Sequence, residues 1–452
     1  MTQLFKSWWA RFLFQDKGIV PTKRLLTLFL LLSLFLLLAT PLELSWTLIF
    51  IVNAFLLTAS FFDLTLSPAK KRLMFKRSIP PQLERGVPYT VDIEITNPSD
   101  YNMNFRLLDG IPQNFRTTFP LSGTVPKNTK IVISYEVLAP VRGDYQIKEL
   151  YIRYRSFLGL WEKQLTVDLA NEIMVIPDLT ETKRVLESAQ NYLLYDGLKI
   201  RKKQAGVGEF SKIRNYVLGD DPRKINWRQT AKLQEVMTNE FEPEHGKYIT
   251  ILIDCGRMMG AELREGNRLE KSLEAVLTVA AAALQKGDYV SVLAFGKDVL
   301  VYIPPAKGIA HLQHILQKIY NLEVEAAESN YASVLFYLQS RQKKRSLLLL
   351  FSDVHTFVHE NGALFYLKQL RKQHVFLTIG VEDEALVRVT RNASLGVKQT
   401  MIKSMAQKQL LVKKKEKVKW EKQGLLMVEA PEEQLATAAV SYYIEIMNRG
   451  LL

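Results

Sequence analysis

A chain of 452 residues, 48% of them hydrophobic, is long enough for about two to four domains. Its 60 Lys and Arg against 46 Asp and Glu give a formal charge of +14, which points to polyanionic partners: nucleic acid, anionic lipid or an acidic protein. A single cysteine, Cys255, excludes an internal disulfide framework and argues against a cysteine-built metal site.

Residues 1–24 read as a cytoplasmic basic and aromatic segment. Lys6, Arg11, Lys17, Lys23 and Arg24 face a single acid, Asp16, and interleave with Trp8, Trp9, Phe12 and Phe14, as in a helix lying on a membrane surface. Two uncharged apolar runs follow, Leu25–Thr40 and Trp46–Phe62, separated by the turn PLELS. With their flanks each approaches the ~20 residues that a helix needs to cross a bilayer. The pattern predicts a transmembrane helical hairpin over residues 25–62, with spans at about 25–41 and 44–62. A cleaved signal peptide is the rival reading, disfavoured by the long basic region and the immediate second run. Lys70, Lys71, Arg72, Lys76 and Arg77 lie behind the second run, so basic residues flank both outer ends. The positive-inside rule then places both termini and the soluble domains in the cytoplasm of a cell with this inner membrane protein.

Over residues 72–170 the pattern changes to short alternating segments: 89–97, 130–139, 144–155 and 160–169. Turn signals separate them, among them Asn97-Pro98-Ser99, Asp109-Gly110 and Arg142-Gly143-Asp144. Such spacing predicts an all-β, immunoglobulin-like sandwich, without the Cys…Trp…Cys core of antibody domains. Its plainest role is a spacer or an interaction platform.

A connector covers 171–245. It contains a helix over about 180–195, closed by Gly197, and then the stretch 208–232, the densest run of unusual residues in the chain. There Gly219 supplies a turn, Asp220 or Asp221 can cap a helix, and Pro222 suits the first helical position. Ile225, Trp227 and Ala231 fall where partial burial is expected. Arg214, Arg223, Lys224 and Arg228 are near enough in sequence to pair with Glu209, Asp220 and Asp221. The stretch reads either as a structural clasp between domains or as a partner-docking surface.

From 246 to 450 strands alternate with helices. Strands are expected at 248–255, 289–296, 299–304, 345–354, 374–381 and 425–430. Helices are expected at 268–287, about 308–320, 331–341, 362–373 and 398–422, and after Pro431. That alternation implies a mostly parallel, doubly wound α/β sheet. Ligands of such sheets sit beyond the strand C-termini, where Asp254 and Asp353 fall. The arrangement resembles the von Willebrand factor A fold, whose adhesion site holds Mg²⁺ on an Asp-x-Ser-x-Ser element, a Thr and an Asp. Gly256 and Met258 stand where the two hydroxyls belong. Ser329 or Asn330 is the nearest candidate for the threonine, and Asp353 fits the final acid. A degenerate site of Asp254, Asp353, Ser329 and Asn330, with weak Mg²⁺ binding, is therefore the cofactor expectation. The alternative is that the two acids cap turns at the sheet edge. The lysines between Lys398 and Lys422 have few aromatics among them, which disfavours nucleic acid and favours membrane lipids as the polyanion.

The run GEFSKIRNYVLGDDPRKINWRQTAK, followed by NEFE, closely resembles the signature of the bacterial domain-of-unknown-function 58 family. The matching positions are Gly208, Glu209, Phe210, Arg214, Tyr216, Gly219, Asp220, Arg223, Trp227 and Ala231. RGDYQIKELYIRYRSFLGLW and VIPDL upstream look like the same family, as does the N-terminal hairpin. The resemblance implies a membrane protein with a von Willebrand factor A-like domain and a MoxR-type AAA+ ATPase as partner. It implies no enzymatic activity. The leading expectation is thus a membrane-anchored, non-enzymatic adaptor or scaffold for protein–protein interaction in assembly or envelope processes. The alternatives are a metal-dependent hydrolase of envelope substrates using Asp254 and Asp353, and a membrane-tethered polyanion or nucleic-acid binder.

Overall fold

The computed structural model describes residues 18–38, 46–66, 68–196, 209–217, 219–242, 246–359, 361–393, 396–449 and 451–452. The PLELS turn, Gly208, Gly197 and most of the N-terminal basic segment lie outside them. The chain divides into two compact units, Met1–Ile176 and Pro177–Leu452.

The first unit begins with a short strand β1 (Ile19–Pro21) and two apolar helices, α1 (Lys23–Leu38) and α2 (Trp46–Thr65). Nine strands follow: β2 (Met74–Ser78), β3 (Gln82–Glu84), β4 (Pro88–Asn97), β5 (Met103–Asp109), β6 (Arg116–Thr117), β7 (Leu121–Val125), β8 (Thr129–Leu138), β9 (Gly143–Arg155) and β10 (Trp161–Ile176). They form two sheets, β1-β10-β9-β5-β7 with β3 on β10, and β2-β4-β8-β6. Period-two alternation sends Val91, Ile93 and Ile95 of one sheet and Met103, Phe105 and Leu107 of the other into a single core. The last strand continues to Ile176, beyond the stretch at 160–169 that alternation marks.

Arg77 crosses that core. It was expected in the basic flank of a membrane span, but it is buried. Its guanidinium pairs with Asp109 on the opposite sheet and donates to the carbonyl oxygens of Ile147 (3.2 Å) and Leu169 (2.5 Å). Tyr135 completes the cluster by donating to Asp109 Oδ2 at 2.6 Å. Composition could not separate this arginine from its basic neighbours, because only the strand register turns it inward.

In the second unit, α3 (Thr180–Asp196) precedes a two-stranded ribbon, β11 (Glu209–Asn215) and β12 (Met237–Glu242), which encloses the short helix α4 (Trp227–Leu233). The main sheet then forms from β13 (Tyr248–Asp254), β14 (Tyr289–Phe295), β15 (Val299–Ala306), β16 (Ser346–Phe351), β17 (Val375–Val381) and β18 (Leu426–Ala430). Its order is β15-β14-β13-β16-β17-β18, parallel except for β15. The helices are α5 (Arg268–Gln285), α6 (Ile309–Ile319), α7 (Tyr331–Arg341), α8 (Val354–His359), α9 (Asn361–Leu370), α10 (Glu384–Arg391), α11 (Val397–Glu421) and α12 (Leu435–Asn448). Helix α5 is apolar nearly all round, as AVLTVAAAAL requires of a helix covered on every side. It packs against the sheet and against α3, α6 and α12. Strand order reverses at β13, so the crevice between the C-termini of β13 and β16 is the topological switch point of the sheet.

Candidate functional site

Asp254 and Asp353 both stand at that switch point and both are buried. Asp254 Oδ1 accepts from the Gly256 backbone N–H (2.8 Å) and from the Ser329 hydroxyl. Its Oδ2 lies 2.7 Å from the Tyr331 hydroxyl and 2.6 Å from that of Ser352, and the two hydroxyls are 2.8 Å apart. Two hydroxyl protons thus serve three short contacts in a closed triangle. Burial, with the Asp254 charge adding to it, pushes the Tyr331 phenol well above its ordinary pKa, so the ring stays a donor. Asp353 pairs with Arg268 at 2.7 Å and accepts from the backbone N–H (3.1 Å) and hydroxyl (2.7 Å) of Thr356.

This donor set does not fit a divalent cation, which needs several oxygen lone pairs turned toward one point. The Asp254 oxygens face protons instead. Asn330 Oδ1 accepts from Ser333 N (3.0 Å) as the N-cap of α7. A Cβ at Gly256 would come within 2.0 Å of Ser329 Oγ, so the serine fills the room that a side chain at 256 would need. Arg268 supplies positive charge beside Asp353. No group of three or more His, Cys, Asp and Glu side chains among the described residues is placed to hold a metal. The structure brings Asp254 and Ser329 together, with Asn330 next along the chain. Asp353 belongs to a separate pairing with Arg268. Sequence reasoning passed over Tyr331, Ser352 and Arg268; the first two directly adjoin Asn330 and Asp353.

The stretch around 209–242 is built differently. Arg214 grips Asp220 with both guanidinium nitrogens at 2.8 Å, a bidentate fork. The Val217 backbone N–H donates to the same carboxylate (3.0 Å), and the Tyr216 hydroxyl donates to the Asp220 carbonyl (3.1 Å). Gly219 has φ 111°, a conformation that favours glycine. Asp221 accepts from Arg223 N (3.0 Å) and caps a single 3₁₀ turn, Pro222–Lys224. Asn226 accepts from Gln229 N (3.1 Å) and caps α4. Four of the signature residues therefore shape one turn. Glu209 and Phe210 contribute backbone to β11.

Three further signature residues, Arg223, Trp227 and Ala231, face outward. Trp227 is 69% exposed, and Ala231 and Arg223 are exposed as well. This corrects the expectation that Trp227 and Ala231 are partly buried. A two-stranded ribbon offers the short helix little surface, and Thr230 and Ile225 take the inner positions: Thr230 accepts from Met237 N (3.0 Å) and Ile225 bridges to Thr238. Val217, Leu233 and Val236 are exposed alongside Trp227, and Arg228 and Lys232 add exposed positive charge.

A third constellation lies in the first unit. Asp63, near the C-terminal end of α2, is buried and accepts from the Ser156 hydroxyl, from Leu158 N (2.6 Å) and from Leu160 N (3.2 Å). Trp161 stacks on Phe61 at 5.6 Å and donates its indole N–H to the Ser60 carbonyl (2.9 Å). Thr22, just before α1, donates to the carbonyl of Gly159 (2.8 Å). The turn SFLGL between β9 and β10 thus holds the ends of both apolar helices.

Residues 212–400 match the model of a family described as "Protein of unknown function DUF58". A curated relative, the uncharacterized protein YeaD of Bacillus subtilis (strain 168), is 24% identical over 205 residues, which is 45% of this chain and 49% of that protein. The chain thus spans about half the length of the curated relative it matches. Among solved structures, an ASH/PapD-like domain of human CEP192 aligns with 24% of this chain and 89% of its own at 14% identity and TM-score 0.18. WR4, a C. elegans MSP family member, aligns with 23% of this chain and 97% of its own at 16% identity and TM-score 0.16. Scores that low define no shared fold.

Proposed function

We propose that this protein is a membrane-anchored, non-enzymatic adaptor that docks a partner on the 209–242 ribbon. The observation that carries the reading is the exposure of Trp227. The Arg214–Asp220 fork fixes a turn, and the residues that turn displays are an exposed Trp, three exposed aliphatic side chains and basic residues. Tryptophan and arginine are the residue types on which interface energy concentrates. The crevice of the main sheet, by contrast, has its carboxylates engaged by the chain's own donors, which weighs against a hydrolase that uses Asp254 and Asp353.

The anchor in this reading is the helical hairpin of α1 and α2. Helix α2 has 20 residues and is long and apolar enough to cross a bilayer by length and composition. Helix α1 contributes the second, shorter span. The basic residues at both outer ends orient both termini and the soluble units to the cytoplasm. The sandwich of the first unit, immunoglobulin-like in its two-sheet plan, is in this reading a spacer or interaction platform. In this reading the second unit is a von Willebrand factor A-like domain with its cation site replaced by hydroxyls and Arg268; the parallel sheet with one antiparallel edge strand supports it. The partner proposed from the family resemblance is a MoxR-type AAA+ ATPase.

The test is capture of that ATPase by the full chain reconstituted in nanodiscs. The reading expects Trp227→Ala and Arg223→Ala each to lose capture at least about tenfold, the size that removal of an interface anchor has. Equal capture by wild type and both variants would remove the ribbon from the account.

A further inference from the structure

The outer face of the larger sheet in the first unit carries a polar cavity of about 410 Å³, lined by Asn104, Arg106, Thr124, Arg153, Arg155 and Glu162 among others. Register makes it basic. Arg106 on β5 lies directly opposite Arg153 on β9. Arg155, two residues along the same strand, pairs with Glu162 across the hairpin at 3.0 Å. That pair neutralises the acid, so the cavity keeps two uncompensated charges, on Arg106 and Arg153. No ion pair to either exists among the described residues. Like charges directly opposed on neighbouring strands destabilise a sheet. A sheet that holds two guanidinium groups side by side is a host for an anion that bridges them. Thr124 donates to the amide oxygen of Asn104 (2.6 Å), which leaves the Asn104 amide N–H as a further donor toward the same cavity.

We propose that Arg106 and Arg153 form a binding site for a phosphate group. The guanidinium fork matches phosphate oxygens in a bidentate manner, and two forks on adjacent strands can hold one tetrahedral anion from two sides. The position of the cavity narrows the source. Arg155 immediately precedes Ser156, whose hydroxyl donates to Asp63 at the end of α2. At ~3.4 Å per strand residue, Arg153 lies roughly 10 Å from that clamp. If α2 crosses a bilayer, the cavity sits at headgroup depth, and the phosphate is that of an anionic lipid. The phosphate site itself does not rest on the membrane reading; only the lipid source does.

The experiment is thermal unfolding of the full chain in detergent, in two arms. One adds inorganic phosphate against chloride at equal ionic strength, and the other adds phosphatidylglycerol against phosphatidylcholine in mixed micelles. The Arg106→Gln/Arg153→Gln double variant is compared with wild type and with Arg116→Gln, an exposed arginine on the other sheet. Wild type and Arg116→Gln are expected to gain melting temperature with a phosphate-bearing ligand. The double variant is expected to need at least about tenfold more ligand, since charge-assisted hydrogen bonds are the strong ones. Without ligand it should melt no lower than wild type, because opposed like charges are gone. If it melts lower, Arg106→Lys/Arg153→Lys takes its place, keeping the charge and losing the fork, with the same weakening expected. A response to phosphatidylglycerol alone assigns the site to lipid, and a response to inorganic phosphate assigns it to a soluble phosphate. Equal responses of wild type and variant in both arms would overturn the proposal.

Discussion

Two regions of the second unit use similar residues to opposite ends. At the switch point of the main sheet, the Asp254 carboxylate is held by Gly256, Ser329, Tyr331 and Ser352, and Arg268 and Thr356 hold Asp353, with Arg268 Nε buried and without a hydrogen-bond partner among the described residues. In the 209–242 ribbon, Arg214, Tyr216, Gly219 and Asp220 are tied into one turn, while the side chains of Trp227, Arg223 and Arg228 are exposed. The first arrangement stabilises a fold, and the second displays a surface. At the place where such sheets ordinarily bind ligands, both carboxylates are therefore engaged by the chain's own donors.

That contrast is open to attack by mutation. Asp254→Ala should cause the largest loss. It leaves a backbone N–H and three hydroxyls without their buried acceptor, and removing one partner of a buried charged cluster costs about 3 kcal/mol or more. Chemical denaturation reads it. A neutral or stabilising effect would mark Asp254 as a site residue held at the expense of stability, and the contrast would collapse. Next comes Asp63→Ala in the first unit, which strands the Leu158 and Leu160 amides and should cost ~2 kcal/mol. Faster proteolysis between 156 and 161 in reconstituted protein would register it, and unchanged cleavage would refute the clamp.

Tyr331→Phe removes one donor and keeps the ring, so a loss of about 1 kcal/mol is expected. His374 gives a smaller, pH-dependent effect. Its Nδ1 accepts from Ser346 N (3.2 Å) in a buried setting, and burial, then Arg345, lowers its pKa. The unfolded chain binds this proton more readily than the folded one. The His374 contribution is therefore complete above the ordinary histidine value of about 6.5 and is lost as the pH falls below it toward the depressed folded value. Melting temperatures from pH 7.5 to 5.5 should fall less in His374→Asn than in wild type. Parallel slopes would exclude this residue as the cause. Smallest of all, Trp227→Ala should leave stability within about 0.5 kcal/mol, as expected for an exposed side chain.

Much of this organisation is legible in the sequence, and the reasons are physical. The strands from Tyr248 to Asp254 and from Ser346 to Phe351 are buried on both faces, and uninterrupted apolar runs announce that directly. The helix Arg268–Gln285 has clear ends, with Asn267 as its N-cap and Gly287 beyond it in the left-handed region. The strands Met103–Asp109 and Leu121–Val125 were missed because their outward residues and short lengths resemble loop. The site was less legible than the fold. Asp254 and Asp353 are easily placed at strand ends, but what each carboxylate meets depends on residues some 75 to 98 positions away, Ser329, Tyr331, Ser352 and Arg268. No local pattern encodes those meetings. Trp227 shows the converse: residue type argues for burial, and only the small size of the ribbon explains its exposure.

The most direct test of the account pairs two readouts, unfolding free energy and capture of the AAA+ ATPase, on Tyr331→Phe, Asp254→Ala, Trp227→Ala and wild type, all as full chains in nanodiscs. The account predicts a crossed result: Trp227→Ala keeps its stability and loses capture, while Tyr331→Phe, the milder probe of the buried network, loses stability and keeps capture at temperatures where it remains folded, with Asp254→Ala following it in stability. Loss of capture in Tyr331→Phe while it is folded, with full capture in Trp227→Ala, would place the functional surface at the sheet edge and contradict the account.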